Sequence, residues 1–365
     1  MYTRRSADLH LVAVVVLLLG IGVLMVFSSS FVRAQQSLGD PYYYFKRQSL
    51  WLVVGVTAMV LVSQVQYWHW RVLARPLLML TFLTLVLVII PGVGQLEGGA
   101  RRWLGVGPLS FQPSELAKLT LVIFLASHFA RLQGRMGRAG PVYLPFLGVV
   151  GATGLLIMLQ PDLGTAVAIT ATAMVMLFVA GAPILQIAGL VLAAVPLGVY
   201  LVFSEEYRAR RILAFLNPEA DPLGSGFHIL QSLYALGSGG LFGVGFFEGR
   251  QKFYYLPAQH TDFIFAVLGE ELGFLGTVAV VLLFAMVAWR GYRIAATAPD
   301  AFASMLAAGL TTLIVLQAII NIGVVTASLP ITGISLPFVS YGGSSLVVSL
   351  TAVGILVNIS KHAQG

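Results

Sequence analysis

Asp262 lies in the run Tyr255-Leu256-Pro257-Ala258-Gln259-His260-Thr261-Asp262-Phe263-Ile264-Phe265, where a long polar stretch gives way to apolar sequence. A carboxylate at such a boundary can act as a general base toward a hydroxyl once partial burial lifts its pKa toward neutrality. The plainer alternative is a helix N-cap, the usual job of an Asp just before an apolar run. Glu270 and Glu271 follow about two turns later. At that depth both need partners or water, so the segment is expected to border a polar crevice with Asp262 at its rim.

Three more groups of polar residues could contribute to the same chemistry. Gly99-Ala100-Arg101-Arg102-Trp103-Leu104 runs on to Phe111-Gln112-Pro113-Ser114-Glu115-Leu116-Ala117-Lys118. Pro113 and Ser114 predict a helix start with Ser114 as N-cap and Glu115 facing the positive end of the dipole. Lys118 falls on the same face as Glu115, either as a structural ion pair or as part of a substrate site. Gln160-Pro161-Asp162-Leu163-Gly164-Thr165 is a short turn that Asp162 either stabilises or uses to face a ligand. The stretch from about 204 to 262 carries Arg208, Arg210, Arg211, Arg250 and Lys252. Planar guanidinium forks suit phosphate oxygens, with a solvated loop face as the competing reading.

The segment from Ser328 to Ser345, including Ser340, Tyr341 and Ser344, is rich in Pro, Gly and hydroxyls and carries no charge. It cannot be a lipid-facing helix, but it can fold back within protein and line a polar cavity. Gly237 to Gly245 misses the dinucleotide-binding spacing and reads as a loop that bends close to the membrane.

The elements that must position these groups are membrane helices. The chain is 58% hydrophobic and 10% charged, with mean hydropathy +0.91, a composition that excludes an ordinary soluble domain. About ten apolar runs are long enough to cross a bilayer: near 9–29, 49–66, 77–95, 114–130, 142–159, 165–182, 185–203, 263–289, 302–327 and 343–360. The expected fold is an all-α polytopic membrane protein, residues 1–365 as one domain, with a large outer loop at about 204–262 between helices seven and eight. The first run is longer than a signal segment and lacks a small-residue cleavage site, so it reads as retained. With the N-terminus inside, inner segments carry Arg4, Arg5, Arg71, Arg75, Arg131, Arg135, Arg138, Arg290, Arg293 and Lys361. Short outer loops carry Arg33, Lys46, Arg47, Arg101 and Arg102. That bias of about two to one puts both termini in the cytoplasm and the polar blocks outside. The net charge of +7 reads as topology and affinity for the lipid bilayer, with no nucleic acid implied. With no cysteine in the chain, thiolate catalysis and Cys-based metal sites are excluded.

Four blocks together resemble the SEDS (shape, elongation, division and sporulation) family over nearly the whole chain. They are Arg101-Arg102-Trp103 leading to Gln112-Pro113-Ser114-Glu115 and Lys118; Gln160-Pro161-Asp162-Leu163-Gly164-Thr165; His260-Thr261-Asp262-Phe263-Ile264-Phe265 with Gly269-Glu270-Glu271-Leu272-Gly273; and Pro337-Phe338 with Ser340-Tyr341-Gly342-Gly343-Ser344. The compact ends look more like the RodA-like elongation branch than the FtsW-like division branch. Ala258-Gln259 departs from the charged residues many relatives carry there.

The resemblance implies a peptidoglycan glycosyltransferase of the bacterial cytoplasmic membrane that polymerises lipid II into glycan strands on the outer face. It assigns the essential carboxylate to Asp262 and a functional pair to Glu115 and Lys118. The implied partner is a class B penicillin-binding protein. Substrate contacts are expected from Arg101, Arg102, Asp162, Arg210, Arg211, Ser340 and Ser344, and a divalent cation (Mg or Mn) is a candidate cofactor. A lipid II flippase or a non-catalytic activator of the penicillin-binding protein are the alternatives. A flippase would spread its key charges across both leaflets, whereas these cluster on one side.

Overall fold

The computed structural model describes residues 7–363 except 98, 107–108, 138 and 253–255. Arg4, Arg5, Arg138 and Tyr255, used above, lie outside the described residues. The chain is a helical bundle: α1 (Leu9–Leu38), α2 (Tyr43–Val62), α3 (Tyr67–Ile89), α4 (Pro113–Arg131), α5 (Ala139–Met158), α6 (Leu163–Val179), α7 (Ile184–Phe203), α8 (Glu206–Leu216), α9 (Phe227–Gly239), α10 (Ile264–Ala296), α11 (Ala301–Val325) and α12 (Gly343–Ser360). Among the described residues, eight helices are long and apolar enough to cross a membrane: α1, α2, α3, α5, α7, α10, α11 and α12. The protein is a multi-pass membrane protein. Helices α4 and α6 occupy two more of the apolar runs, and α6 has 17 residues.

Helix α11 is central, touching α3, α4, α6, α9, α10 and α12. Helix α7 is peripheral, with none of its residues buried. Asp8 ties the far end together: it caps α1 by accepting from Leu11 N at 3.0 Å and pairs with Arg290 of α10.

Three features were not apparent in the apolar pattern. Between α3 and α4 a small antiparallel sheet forms, β1 (Gln95–Glu97), β2 (Ala100–Val106) and β3 (Leu109–Phe111), in the order β1-β2-β3. The stretch expected as an open outer loop contains α8 and α9. Helix α9 buries Ile229, Ser232, Ala235 and Gly239, a helical spacing that faces α10. A Cβ at Gly239 would collide with the Gly269 carbonyl, so only glycine allows that approach.

The third feature is a break in α10 at Gly273, where φ is 69° and ψ is −167°. The uninterrupted helix expected over 263–289 is therefore two helical pieces. Backbone groups freed by the break are taken up by the glycine-rich segment. Val244 N donates to Glu270 O at 3.0 Å and Gly245 N to Glu271 O at 3.2 Å, while Phe274 N donates to Gly240 O at 2.9 Å and Leu275 N to Leu241 O at 3.2 Å. Irregular backbone at membrane depth survives only when re-bonded in this way.

Candidate active site

The N-terminal ends of α4, α6, α10 and α12 converge on one cavity of about 250 Å³. Gln112 and Glu115 come from the first, Asp162 and Thr165 from the second, Thr261 and Asp262 from the third, Gly342 and Ser345 from the fourth. Arg102 of β2, Lys118, Gly333, Ser335 and Tyr341 complete the polar lining. Four helix N-termini turn their positive dipole ends toward the space, and with Arg102 and Lys118 they face the carboxylates of Glu115, Asp162 and Asp262.

Asp262 does not cap its helix: α10 begins at Ile264 with Phe263 in the cap position and no side-chain cap hydrogen bond. Among the described residues its carboxylate takes no hydrogen bond, and it opens on the cavity from a deeply packed turn. Gly333, at φ +77°, lies against it, with Oδ2 3.6 Å from where a Cβ would stand. Burial raises the Asp262 pKa to about 6; Arg211 pulls it down, Asp162 pushes it up and Arg102 pulls it down. That value suits a base working near neutral pH. His260 is held down to about 4, first by burial and then by the charge of Arg33, so it is neutral at pH 7.

The turn carrying Asp262 is fixed from three sides. Ser340 Oγ donates to Thr261 O at 2.6 Å and accepts from Leu336 N at 2.8 Å. Tyr341 N donates to His260 O at 2.9 Å. Asn321 Nδ2 donates to Asp262 O at 2.8 Å.

Glu115 and Lys118 form the expected pair, with Nζ 2.8 Å from both carboxylate oxygens. Lys118 also donates to Gln317 Oε1 at 2.5 Å. Two hydrogen bonds and the ion pair hold this lysine in place, so it lines the cavity as a fixed, paired charge. Ser114 is not the N-cap of α4: that position is Gln112, Pro113 opens the helix, and Ser114 Oγ is buried without a partner among the described residues. Gln112 N is satisfied instead by Ser344 Oγ at 3.1 Å.

Arg102 Nε donates to Gln160 O at 2.8 Å and Nη2 to Pro161 O at 2.5 Å. A guanidinium has five donors, which leaves three for a ligand. Asp162 caps α6, accepting from Thr165 N at 3.1 Å and Thr165 Oγ1 at 2.8 Å, and also faces the cavity. Its turn-stabilising reading and its placement at the site are both realised.

Other expected site residues stand off the cavity. Arg101 neighbours Arg102 on a strand, where successive side chains point to opposite faces. Arg210 is exposed and paired with Glu206 at 2.5 Å. Arg211 is exposed over the Tyr207 ring at 5.7 Å, and reaches Asp262 only through its charge. Ser340 and Ser344 brace main chain. Arg208 is buried and donates to Leu201 O and Tyr207 Oη. Glu270 and Glu271 do not border the crevice: Glu270 accepts from Arg250 N at 2.7 Å and Glu271 pairs with Lys252 at 2.9 Å. Gln317 and Asn321 were missed, although two amides four residues apart in an apolar helix signal a shared polar face.

Among the described residues, no group of three or more His, Asp and Glu converges as a metal site.

The family described as cell cycle protein, that of FtsW, RodA and SpoVE, matches over residues 9–365. Stage V sporulation protein E of Bacillus subtilis is 49% identical over 99% of both chains. A probable peptidoglycan glycosyltransferase FtsW of Geobacter sp. is 43% identical over 98% of both. A chain from a solved peptidoglycan synthase complex superposes with TM-score 0.78 at 31% identity, covering 97% of each chain. The rod shape determining protein RodA of Thermus thermophilus superposes with TM-score 0.72 at 28% identity, covering 98% of each chain; it has also been solved with one aspartate replaced by alanine. A match over almost the entire length, joined to these identities, means that the chain belongs to the FtsW, RodA and SpoVE family, the group its four motifs resemble.

Proposed function

We propose that this chain is a peptidoglycan glycosyltransferase that polymerises lipid II on the outer face of the cytoplasmic membrane. The observation that carries the reading is the Asp262 carboxylate, without a hydrogen bond among the described residues, facing a cavity ringed by four helix N-termini and Arg102. Asp262 takes the proton from the acceptor 4-hydroxyl as that oxygen bonds to the anomeric carbon of the donor. The bond from that carbon to the undecaprenyl pyrophosphate breaks, and its electrons leave with the pyrophosphate. One displacement inverts the α-linked donor to a β-linked product and needs a single base. Arg102 and the helix ends stabilise the departing anion, with Lys118 and Arg211 adding field.

The polar lining lies at one end of the bundle, which supports polymerisation over lipid flipping. Helices α4 and α6 bring the crossings to ten. On that count residues 1–365 act as one membrane domain, both termini are cytoplasmic, and 204–262 is its largest outer segment. The partner is a class B penicillin-binding protein, as the similarity to a synthase complex suggests. A divalent cation, Mg or Mn, is the candidate cofactor, neutralising the charge of the pyrophosphate; polymerisation with and without a chelator tests it. The Bacillus subtilis SpoVE and the Geobacter FtsW share more identity with this chain than the Thermus thermophilus RodA does. Depletion separates the cellular roles: rounded cells mark elongation, filaments mark division, and failed spores mark sporulation.

The deciding experiment is polymerisation of fluorescent lipid II by the protein and Asp262→Asn, with a partner whose transpeptidase is inactive. Long glycans from the wild type alone support the reading; polymer from the variant removes Asp262 as the base.

A further inference from the structure

Asn321, on the central helix α11, is 1% exposed and sits behind the cavity wall. Its Nδ2 donates to two main-chain carbonyls, Asp262 O at 2.8 Å and Ile334 O at 2.8 Å. Both acceptor residues line the cavity, one from the turn that opens α10 and the other from the re-entrant segment before α12. The amide nitrogen carries two N–H donors and both are used, so the two acceptors fix the orientation of the side chain. The cost is visible: Asn321 Oδ1 is buried with no partner among the described residues. A buried polar atom left in that state needs an explanation.

We propose that Asn321 is a positioning residue for the glycosyl transfer step, clasping the Asp262 turn to the Ile334 segment so that the base is held largely buried in the cavity wall. The proposal rests on the reading of Asp262 as general base. Opening the clasp lets the two walls part and admits water to the carboxylate. Burial is the main cause of the raised Asp262 pKa, so hydration moves it downward. The charged groups facing Asp262 stay in place: Arg211 on α8, Arg102 on β2, Asp162 at the start of α6 and the closed Glu115–Lys118 pair on α4. His260, neighbouring in the same turn, is neutral over the relevant range.

The test is the pH–rate profile of lipid II polymerisation by the full chain with its partner, for wild type, Asn321→Leu, Asn321→Asp and Asn321→Ser. Leu keeps the volume without donors, and Asp places acceptors against the two carbonyls. Ser keeps one donor and guards against a variant that fails to fold. The expected result is a maximal rate lowered about tenfold or more, with the acid limb moved down by up to about one pH unit and Ser intermediate. A rate lowered only in proportion to the folded fraction, with the acid limb unmoved, overturns the clasp and makes Asn321 a packing residue. Polymerisation by Asp262→Asn, or a wild type with no acid limb, overturns the base reading and the proposal with it.

Discussion

Arg102 is fastened to Gln160, its Nε donating to the Gln160 carbonyl at 2.8 Å while Nη2 reaches Pro161 O. The same turn carries Asp162 and opens α6, so the cation at the cavity is held by the element that supplies one of the helix N-termini. Arg102→Lys keeps the charge but loses the fork that grips the turn and still offers donors to a ligand. We expect Arg102→Lys to lower the polymerisation rate about tenfold or more and Arg102→Ala about 10²- to 10³-fold, the cost of losing one preorganised donor to a developing anion. Equal rates for wild type and Arg102→Ala would remove the leaving-group role.

Asp262 links activity to pH and trades stability for function. As a base it works only when ionised, so the rate should rise with pH through an apparent pKa near 6. Removing a general base costs about 10²- to 10⁴-fold, the drop expected for Asp262→Asn. The linkage has the opposite sign for stability. Between the ordinary value of 3.8 and about 6 the folded state holds more protons than the unfolded one, so stability falls as pH rises through that window and stays lower above it. Asp262→Asn should therefore melt higher than wild type at pH 7, by roughly 1–2 kcal/mol after allowing for water in the cavity, and show no such gain below pH 4. Thermal denaturation at the two pH values checks the sign.

The apolar runs made the bundle legible because a bilayer imposes length and hydropathy on every crossing. The site was legible where polar residues cluster at run ends: Arg102, Glu115, Lys118, Asp162 and Asp262 do meet. Clustering in sequence does not say which way a side chain faces. Arg101 and Arg102 are adjacent yet strand geometry separates them, and Ser340 bonds the Thr261 carbonyl and the Leu336 N–H instead of facing the cavity. The break at Gly273 was hidden because glycine in an apolar run reads equally as a packing contact or a kink. It takes the hydrogen bonds from 240–245 to distinguish the two.

Gly273 should tolerate no side chain. Its φ of 69° disfavours L-residues, and a Cβ there would meet Gly243 N and the Leu241 carbonyl group. That combination of positive φ with extended ψ is open essentially only to glycine and costs another residue about 1–3 kcal/mol, and displacing the 240–245 segment adds unpaired backbone groups. Gly273→Ala is expected to lower the melting temperature and to expose the 240–245 amides to hydrogen exchange. Unchanged protection there would show that the segment is held by other contacts.

Glu271 and Lys252 test whether a buried charge pair near the site acts on chemistry or only on fold. Nζ lies 2.9 Å from Oε1, and the two side chains are 0% and 3% exposed. Ser28 of α1 donates to both Glu271 oxygens at 2.6 and 2.8 Å, and Gln259 Nε2 bridges Lys252 O and Ser29 O. The pair thus joins α1, α10 and the segment that leads into the Asp262 turn. Removing one member strands a buried charge, a loss of about 3–5 kcal/mol, whereas removing both leaves none. Lys252→Met and Glu271→Gln should each destabilise strongly, and the double variant should be more stable than the sum of the two losses implies. Because the pair lies off the cavity, surviving folded protein should keep its acid limb near that of wild type. A limb that moves in Lys252→Met would mean that the tether reaches the carboxylate, as Asn321 does by direct contact with its main chain.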